Sequence, residues 1–223
     1  VVYVSVAELA SWRFFPAWYK SFSKDATPLN SGLPWMQFKA TEWLESYLRK
    51  DMKVFEYGSG GSTIFLAQHA GHVCTAEHDR LWHSLVSAAL AQRQLTNCSY
   101  TLKEPIAFSG GIDTNSNTNE DTIIHHEKEW DVSGDFAPYV KTIDEYPDHS
   151  FDLILVDGPA RSACLKRAIQ KIRPGGYVML DNADDFYFLN AQSVMQPYQR
   201  MDFRGIAPGW PPDRWTTSAW RVV

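Results

Sequence analysis

The chain has 223 residues, 44% apolar and 21% charged, enough for one large domain with a well-buried core. Its net charge of −5 argues against a general nucleic-acid binder, whose footprint would be basic. Cys74, Cys98 and Cys164 form no CxxC pair and no metal-ligand spacing, so reduced thiols in a cytosol-like compartment are expected. No apolar stretch approaches the roughly 20 residues of a membrane span. The opening VVYVSVAELA lacks the basic and apolar regions of a secretory signal, so the expected location is cytoplasmic. The first residue is not Met, as expected of a trimmed chain or a fragment.

Residues 1–33 carry Tyr3, Trp12, Phe14, Phe15, Trp18, Tyr19 and Phe22. They predict one or two helices packed on the domain, with a substrate cover or a homodimer surface as the sharper readings. Pro34 suits the first turn of a helix reaching about Arg49, with Trp35, Phe38, Trp43, Leu44, Tyr47 and Leu48 on its apolar face. Val54–Tyr57 reads as a buried strand. It leads through Gly58-Ser59-Gly60-Gly61-Ser62 into a helix over Thr63–His69, and a second strand, His72–Ala76, ends at Glu77. A helix over Asp79–Gln94 is expected to turn Leu81, Trp82, Leu85, Ala88 and Ala89 inward, ahead of a third strand, Cys98–Leu102. Residues 104–134 lose all periodicity and read as a polar insertion, a partly ordered lid.

Asp135 is a natural N-cap for a helix over Phe136–Glu145. Phe151–Val156 is the strongest strand signal and runs into Asp157-Gly158. A basic helix, Ser162–Ile172, is broken by Pro174-Gly175-Gly176, and Tyr177–Leu180 forms a fifth strand ending at Asp181-Asn182. A helix over Asp185–Met195 follows, then two strands, Gln199–Ile206 and Thr216–Val223, whose short connection makes them antiparallel. The expected fold is α/β: a doubly wound, mostly parallel seven-stranded sheet with a C-terminal antiparallel hairpin and helices on both faces. Residues 34–223 form that domain and residues 1–33 an extension.

Ligands in such sheets bind beyond the carboxyl ends of the strands. Those ends carry Glu56 to Gly61, Glu77, Asp157-Gly158 and Asp181-Asn182, which should share one crevice. Glycines let a ligand approach the backbone, and an acid about 20 residues past the first glycine can bond ribose hydroxyls. Taken alone, Gly58-x-Gly60 with Glu77 also suits a nicotinamide dinucleotide, although the third glycine of that fingerprint falls at Thr63. An NAD(P)-dependent oxidoreductase and a non-catalytic cofactor-binding interaction domain are the competing readings.

The E-x-G-x-G-x-S segment Glu56–Ser62, Glu77, FDLILVDG and RPGGYVMLDN together resemble the class I S-adenosylmethionine-dependent methyltransferases. The resemblance covers about Pro34–Val223, with Ser62 where many members have a third glycine. It implies that Glu56 and the backbone of Gly58, Ser59, Gly60 and Gly61 hold the methionine part of S-adenosylmethionine. Glu77 would hold the ribose, and His78, with Asp135 and Phe136, would flank the adenosine. Asp157 would serve the cofactor or the acceptor. Asp157, Asp181 and Asn182 are also similar to the ligands of Mg²⁺ or another divalent cation in catechol- and caffeoyl-CoA-type O-methyltransferases. That pattern departs at Ala160, where the catechol type carries a Lys. The expected catalytic residues are Asp157, Arg161 and Asp181, with His125, His126 and His149 as further candidate bases. Arg161 would bind an anionic substrate group or form a structural ion pair, and the loop with Trp210, Arg214 and Trp215 would border the acceptor. The implied activity is O-methylation of a small-molecule or glycan-like acceptor.

Overall fold

The computed structural model describes residues 10–107, 123–124, 134–183, 193–211 and 216–223. A 3₁₀ turn, Ala10–Phe14, opens into α1 (Phe15–Lys20), and α2 (Pro28–Ser31) and α3 (Phe38–Tyr47) follow. The central alternation is β1 (Lys53–Tyr57), α4 (Gly61–His69), β2 (His72–Glu77), α5 (Arg80–Gln92) and β3 (Cys98–Leu102). After α6 (Ala137–Val140) and a 3₁₀ turn to Glu145 come β4 (Phe151–Val156), α7 (Arg161–Lys171) and β5 (Ile172–Leu180). The chain closes with β6 (Gln199–Phe203) and β7 (Thr217–Arg221). The seven strands lie in the order β3-β2-β1-β4-β5-β7-β6. The first five are parallel, and β7 inserts antiparallel between β5 and β6.

Strand alternation explains the two-sided core. Phe55, Tyr57, Ile154 and Val156 point to one face, where they meet Tyr139 and Val140 of α6 and Cys164, Leu165 and Ala168 of α7. Val54, Leu153 and Leu155 point to the other, against Leu44 of α3, Ile64 and Leu66 of α4, and Val86 and Leu90 of α5. Each of these side chains is buried, a gain of about 1.5–3 kcal/mol for each large one. Cys74 and Cys164 lie in this core as free thiols, and burial raises both above their ordinary values.

Several expectations shift. The helix expected from Pro34 starts at Phe38, because the Phe38 N–H is taken by the Ile206 carbonyl at 3.1 Å and the helical bonds begin at the Gln37 carbonyl. On α5, Leu81 is 72% and Leu85 45% exposed, Ala88 is also exposed, and Val86, Ala89 and Leu90 face the core. The helix start fixed by Asp79, whose Oδ1 caps the Trp82 N–H at 2.6 Å, turns the buried stripe to those later positions. Pro174-Gly175-Gly176 does not separate helix from strand: α7 ends at Lys171 and β5 begins at once. Gly175 takes φ +83°, and the pairing with β4 shifts register between Phe151 and Leu153. The Pro-Gly-Gly run is therefore a bulge inside the strand, a position where proline's missing N–H is tolerated. The helix over Phe136–Glu145 is split into one α turn and one 3₁₀ turn.

Most of the 104–134 insertion lies outside the described residues; Ile106 and Ile123–Ile124 pair with Gly134–Asp135. The helix expected over Asp185–Met195 lies outside them too, apart from a turn at 193–195. No helix among the described residues is long and apolar enough to cross a membrane.

Candidate active site

The turn after β1 brings three glycines together for three different reasons. Gly58 has φ +82°, and a Cβ there would meet the Asp157 carbonyl oxygen at 2.7 Å, so the tips of β1 and β4 touch. A Cβ on Gly61 would meet the Leu33 and Pro28 carbonyl oxygens at 2.1 and 2.5 Å, so α2 and its exit pack onto the start of α4. Gly60 is extended, and among the described residues a Cβ there would meet only the Trp82 ring, at 3.8 Å. The protein's own packing does not demand glycine at 60. The open space in front of it is the kind a bound ligand fills.

Glu56 lies beneath this turn, fully buried. Its Oε2 accepts from the Thr63 and Thr75 hydroxyls at 2.7 and 2.9 Å, while Oε1 has no hydrogen-bond partner among the described residues. Burial pushes this carboxyl up to about 8, against the pull of the Ser62, Thr63 and Thr75 hydroxyls. A buried acceptor without a donor awaits one. Glu77, at the tip of β2, is the reverse case. Its Oε2 accepts from the Ser59 N–H (3.0 Å) and hydroxyl (2.5 Å), and its Oε1 from the His78 and Asp79 N–H groups, both at 2.8 Å. Burial alone would raise Glu77, but the hydrogen bonds from His78, Asp79 and Ser59 hold it below its ordinary value. Ser59 Oγ also lies 2.6 Å from the Tyr100 hydroxyl, and the Trp82 indole N–H donates to the Ser59 carbonyl at 2.7 Å. The His78 ring lies 5.5 Å from Phe136, which is buried, and Asp135 Oδ1 accepts from the Ala137 N–H.

A second group forms where β4 and β5 end. Arg161, the first residue of α7, turns back across both tips. Its Nε donates to the Gly158 carbonyl at 2.9 Å; Nη1 donates to the Asp181 carbonyl at 2.5 Å and Asn182 Oδ1 at 2.9 Å. Its Nη2 lies 3.2 Å from Asp157 Oδ1. The Asp157 side chain keeps 29% of its surface exposed, whereas Asp181 keeps 3%. Thr217 Oγ1 touches both Asp181 Oδ1 and the Gln37 side-chain amide. One hydroxyl has one proton, so Thr217 donates to one of the two and accepts from the other, either the Gln37 amide N–H or a protonated Asp181. Burial pushes Asp181 up to about 7, with Asp157 adding to the rise and Arg161 opposing it; burial also raises Asp157 against Arg161.

These two groups answer differently when tested as binding sites. The cradle, with its orphaned Glu56 oxygen and open Gly60 face, fits a nucleoside carrying a cationic amino group. The trio Asp157, Asp181 and Asn182 does not fit a divalent ion, since the Arg161 guanidinium already stands against Asp157 Oδ1 and Asn182 Oδ1. Among the described residues no cluster of three or more His, Cys, Asp or Glu side chains is placed to hold a metal.

No protein-family model and no curated protein matches the chain. Solved structures do. An O-methyltransferase from Bacillus cereus in complex with SAH superposes with a TM-score of 0.58, covering 99% of this chain and 93% of its own at 13% identity. An rRNA methylase from Streptococcus thermophilus gives 0.54 over 82% and 93% of the two chains at 10% identity. The precorrin 8W decarboxylase of Methanobacterium thermoautotrophicum gives 0.53 over 90% and 95% at 17%. The fold is that of the class I methyltransferases. At such identities the likeness speaks for the fold alone, and these neighbours' own substrates differ.

Within this methyltransferase fold the structure brings Glu56, Gly58, Ser59, Gly60, Gly61, Glu77 and His78 to one edge, beside Asp157, Arg161, Asp181 and Asn182. His149 does not join them. Its Nδ1 lies 3.0 Å from the Ile172 carbonyl, at the opposite end of the sheet. His125, His126, Arg214 and Trp215 lie outside the described residues, and Trp210 accepts the Trp18 indole N–H on its carbonyl. Sequence reasoning missed Thr63, Thr75 and Tyr100, and also Gln37 and Thr217. Thr63 could have been read from its place seven residues after Glu56, in the first turn of α4. Gln37 and Thr217, 180 residues apart, carry no local signal.

Proposed function

We propose that the protein is an S-adenosylmethionine-dependent methyltransferase that methylates an oxygen of a small-molecule or glycan-like acceptor. The observation that carries this reading is the cradle: an open Gly60 face above a buried Glu56 whose Oε1 lacks a donor among the described residues, with Glu77 at the neighbouring tip. Glu56 would take the cofactor's amino group. Glu77 would take the ribose hydroxyls; its lone pairs are already occupied, and the Ser59 hydroxyl is the group that yields, because Tyr100 offers it a second partner at 2.6 Å. S-adenosylmethionine, when bound, supplies a methyl group on a positively charged sulfur.

The chain's own task is then to align the acceptor and take its proton. Asp157, half-open to the crevice and steered by Arg161, is suited to receive that proton from the acceptor hydroxyl as the new C–O bond forms. Asp181, shut in behind it, anchors Arg161 through its carbonyl. The net charge of −5 favours an uncharged acceptor over a polyanion such as RNA. Calorimetric titration with S-adenosylhomocysteine and, separately, NADH tests the reading. Micromolar binding of the first alone is expected, and binding of NADH alone would overturn it.

A further inference from the structure

The end of β5 carries Asp181-Asn182 and the end of β4 carries Asp157, an oxygen-rich set of the kind that holds a hard cation. Between them lies a guanidinium. A guanidinium has five N–H donors in one plane, and Arg161 sets its three nitrogens against four oxygens from both strand tips: the Gly158 and Asp181 carbonyls, Asn182 Oδ1 and Asp157 Oδ1. A divalent ion needs its oxygens at about 2.0–2.6 Å. Reaching Asp157 Oδ1 and Asn182 Oδ1 together would put it where the two Nη atoms are, against a fixed positive charge.

Two further observations show that Arg161 is held there at a cost. The first turn of a helix is the positive end of its dipole, the wrong end for a basic residue. Yet Arg161 begins α7, and only 13% of its side chain is exposed. Its neighbour Ala160 takes φ +53°, and Asn182 on the facing tip also takes φ +53°. Left-handed backbone is unfavourable for alanine and persists where the surroundings impose it, whereas asparagine adopts it readily. The two turns carry the Gly158 and Asp181 carbonyls and the Asn182 Oδ1 that the guanidinium meets.

We infer that the Arg161 guanidinium is a built-in replacement for a divalent cation, joining the β4 and β5 tips and carrying the positive charge of the acceptor side itself. The purpose of that charge rests on the methyltransferase reading; the replacement does not. A coordinated metal would also offer open positions to chelate two adjacent oxygens of an acceptor, and a guanidinium with its donors engaged offers none. The acceptor is thus held by one hydroxyl at Asp157.

The test is a Mn²⁺ titration of the full cofactor-free chain, with free Mn²⁺ followed by electron paramagnetic resonance. The wild-type protein should show no stoichiometric site tighter than about 1 mM, the weak end of protein cation sites. Arg161→Ala, which keeps Asp157, Asp181 and Asn182, should gain a single site at least tenfold tighter, and Asp157→Asn in that background should lose it. Arg161→Met, which keeps the bulk of the side chain and removes its charge, serves the same purpose if the alanine variant does not fold. Stoichiometric sub-millimolar binding by the wild-type chain overturns the inference. So does a folded Arg161 variant that gains nothing. Failure to bind S-adenosylhomocysteine would sink the methyltransferase reading and leave this result standing.

Discussion

The two halves of the crevice are built in opposite ways. The cradle comes from one continuous stretch, Val54–Glu77, in which strand, turn, helix and strand follow without interruption. The acceptor half is assembled from Gln37, Asp157, Arg161, Asp181 and Thr217, groups that only the finished sheet brings together. Among the described residues the cradle leaves one oxygen unpartnered and one glycine face open, whereas the half proposed to face the acceptor spends its donors on itself. On the proposed reading, one half receives a ligand and the other holds a fixed charge in place.

The largest expected effect lies in the cradle. Gly60→Val should abolish measurable S-adenosylhomocysteine binding while leaving the melting temperature nearly unchanged, because its side chain enters open space and not packed atoms. A variant that binds normally breaks the contrast at its root. Asp157→Asn should instead lower kcat by about 10²–10⁴, the usual contribution of a general base, with S-adenosylhomocysteine affinity unaltered. An equal loss of affinity would move Asp157 into the cofactor half.

Glu77→Ala should weaken S-adenosylhomocysteine by about 1–3 kcal/mol, measured by calorimetry. Glu56 makes a pH-dependent version of the same test. Its folded value of about 8 stands above its ordinary 4.5, so its contribution to stability is complete below about 4.5 and is lost as pH rises through about 8. A ligand with a cationic amino group prefers the ionised form and binds with proton release. Between pH 7 and 8 the cofactor-free chain should therefore lose stability while its affinity rises roughly fivefold, and Glu56→Gln should flatten both trends. Affinity independent of pH would detach Glu56 from the ligand. Thr217→Val, which strands a buried Asp181 oxygen, should have no effect on binding and act on stability alone. A loss of about 1–3 kcal/mol in denaturant unfolding is expected, with no change in S-adenosylhomocysteine affinity.

The same contrast explains what was legible in the amino-acid pattern. The strands Val54–Tyr57 and Phe151–Val156 were readable because both of their faces are buried and each run is apolar but for one carboxylate, Glu56 and Asp152. Gly58, Gly60, Gly61 and Glu77 were readable because their spacing within one strand-turn-helix-strand unit is fixed by the backbone. The face of α5 was misread by a few positions, since Leu81 and Leu85 are as apolar as the residues that are buried. The bulge in β5 was hidden by a Pro-Gly-Gly run that ordinarily marks a turn. Above all, the role of Arg161 was undecidable between substrate contact and ion pair. Its partners come from two strands, and only their juxtaposition shows that it lies among the expected cation ligands.

The Gln37–Thr217 contact has a dynamic consequence. It closes a loop of 180 residues, tying the entry of α3 to the start of the last strand, and through Asp181 to the acceptor half. Contacts of such long range form late and are disfavoured until the intervening sheet exists. Opening of the last strand pair, or of the chain before α3, should therefore release the acceptor half while the cradle between β1 and β2 keeps its protection. In hydrogen exchange the two halves of one crevice should behave as separate cooperative units.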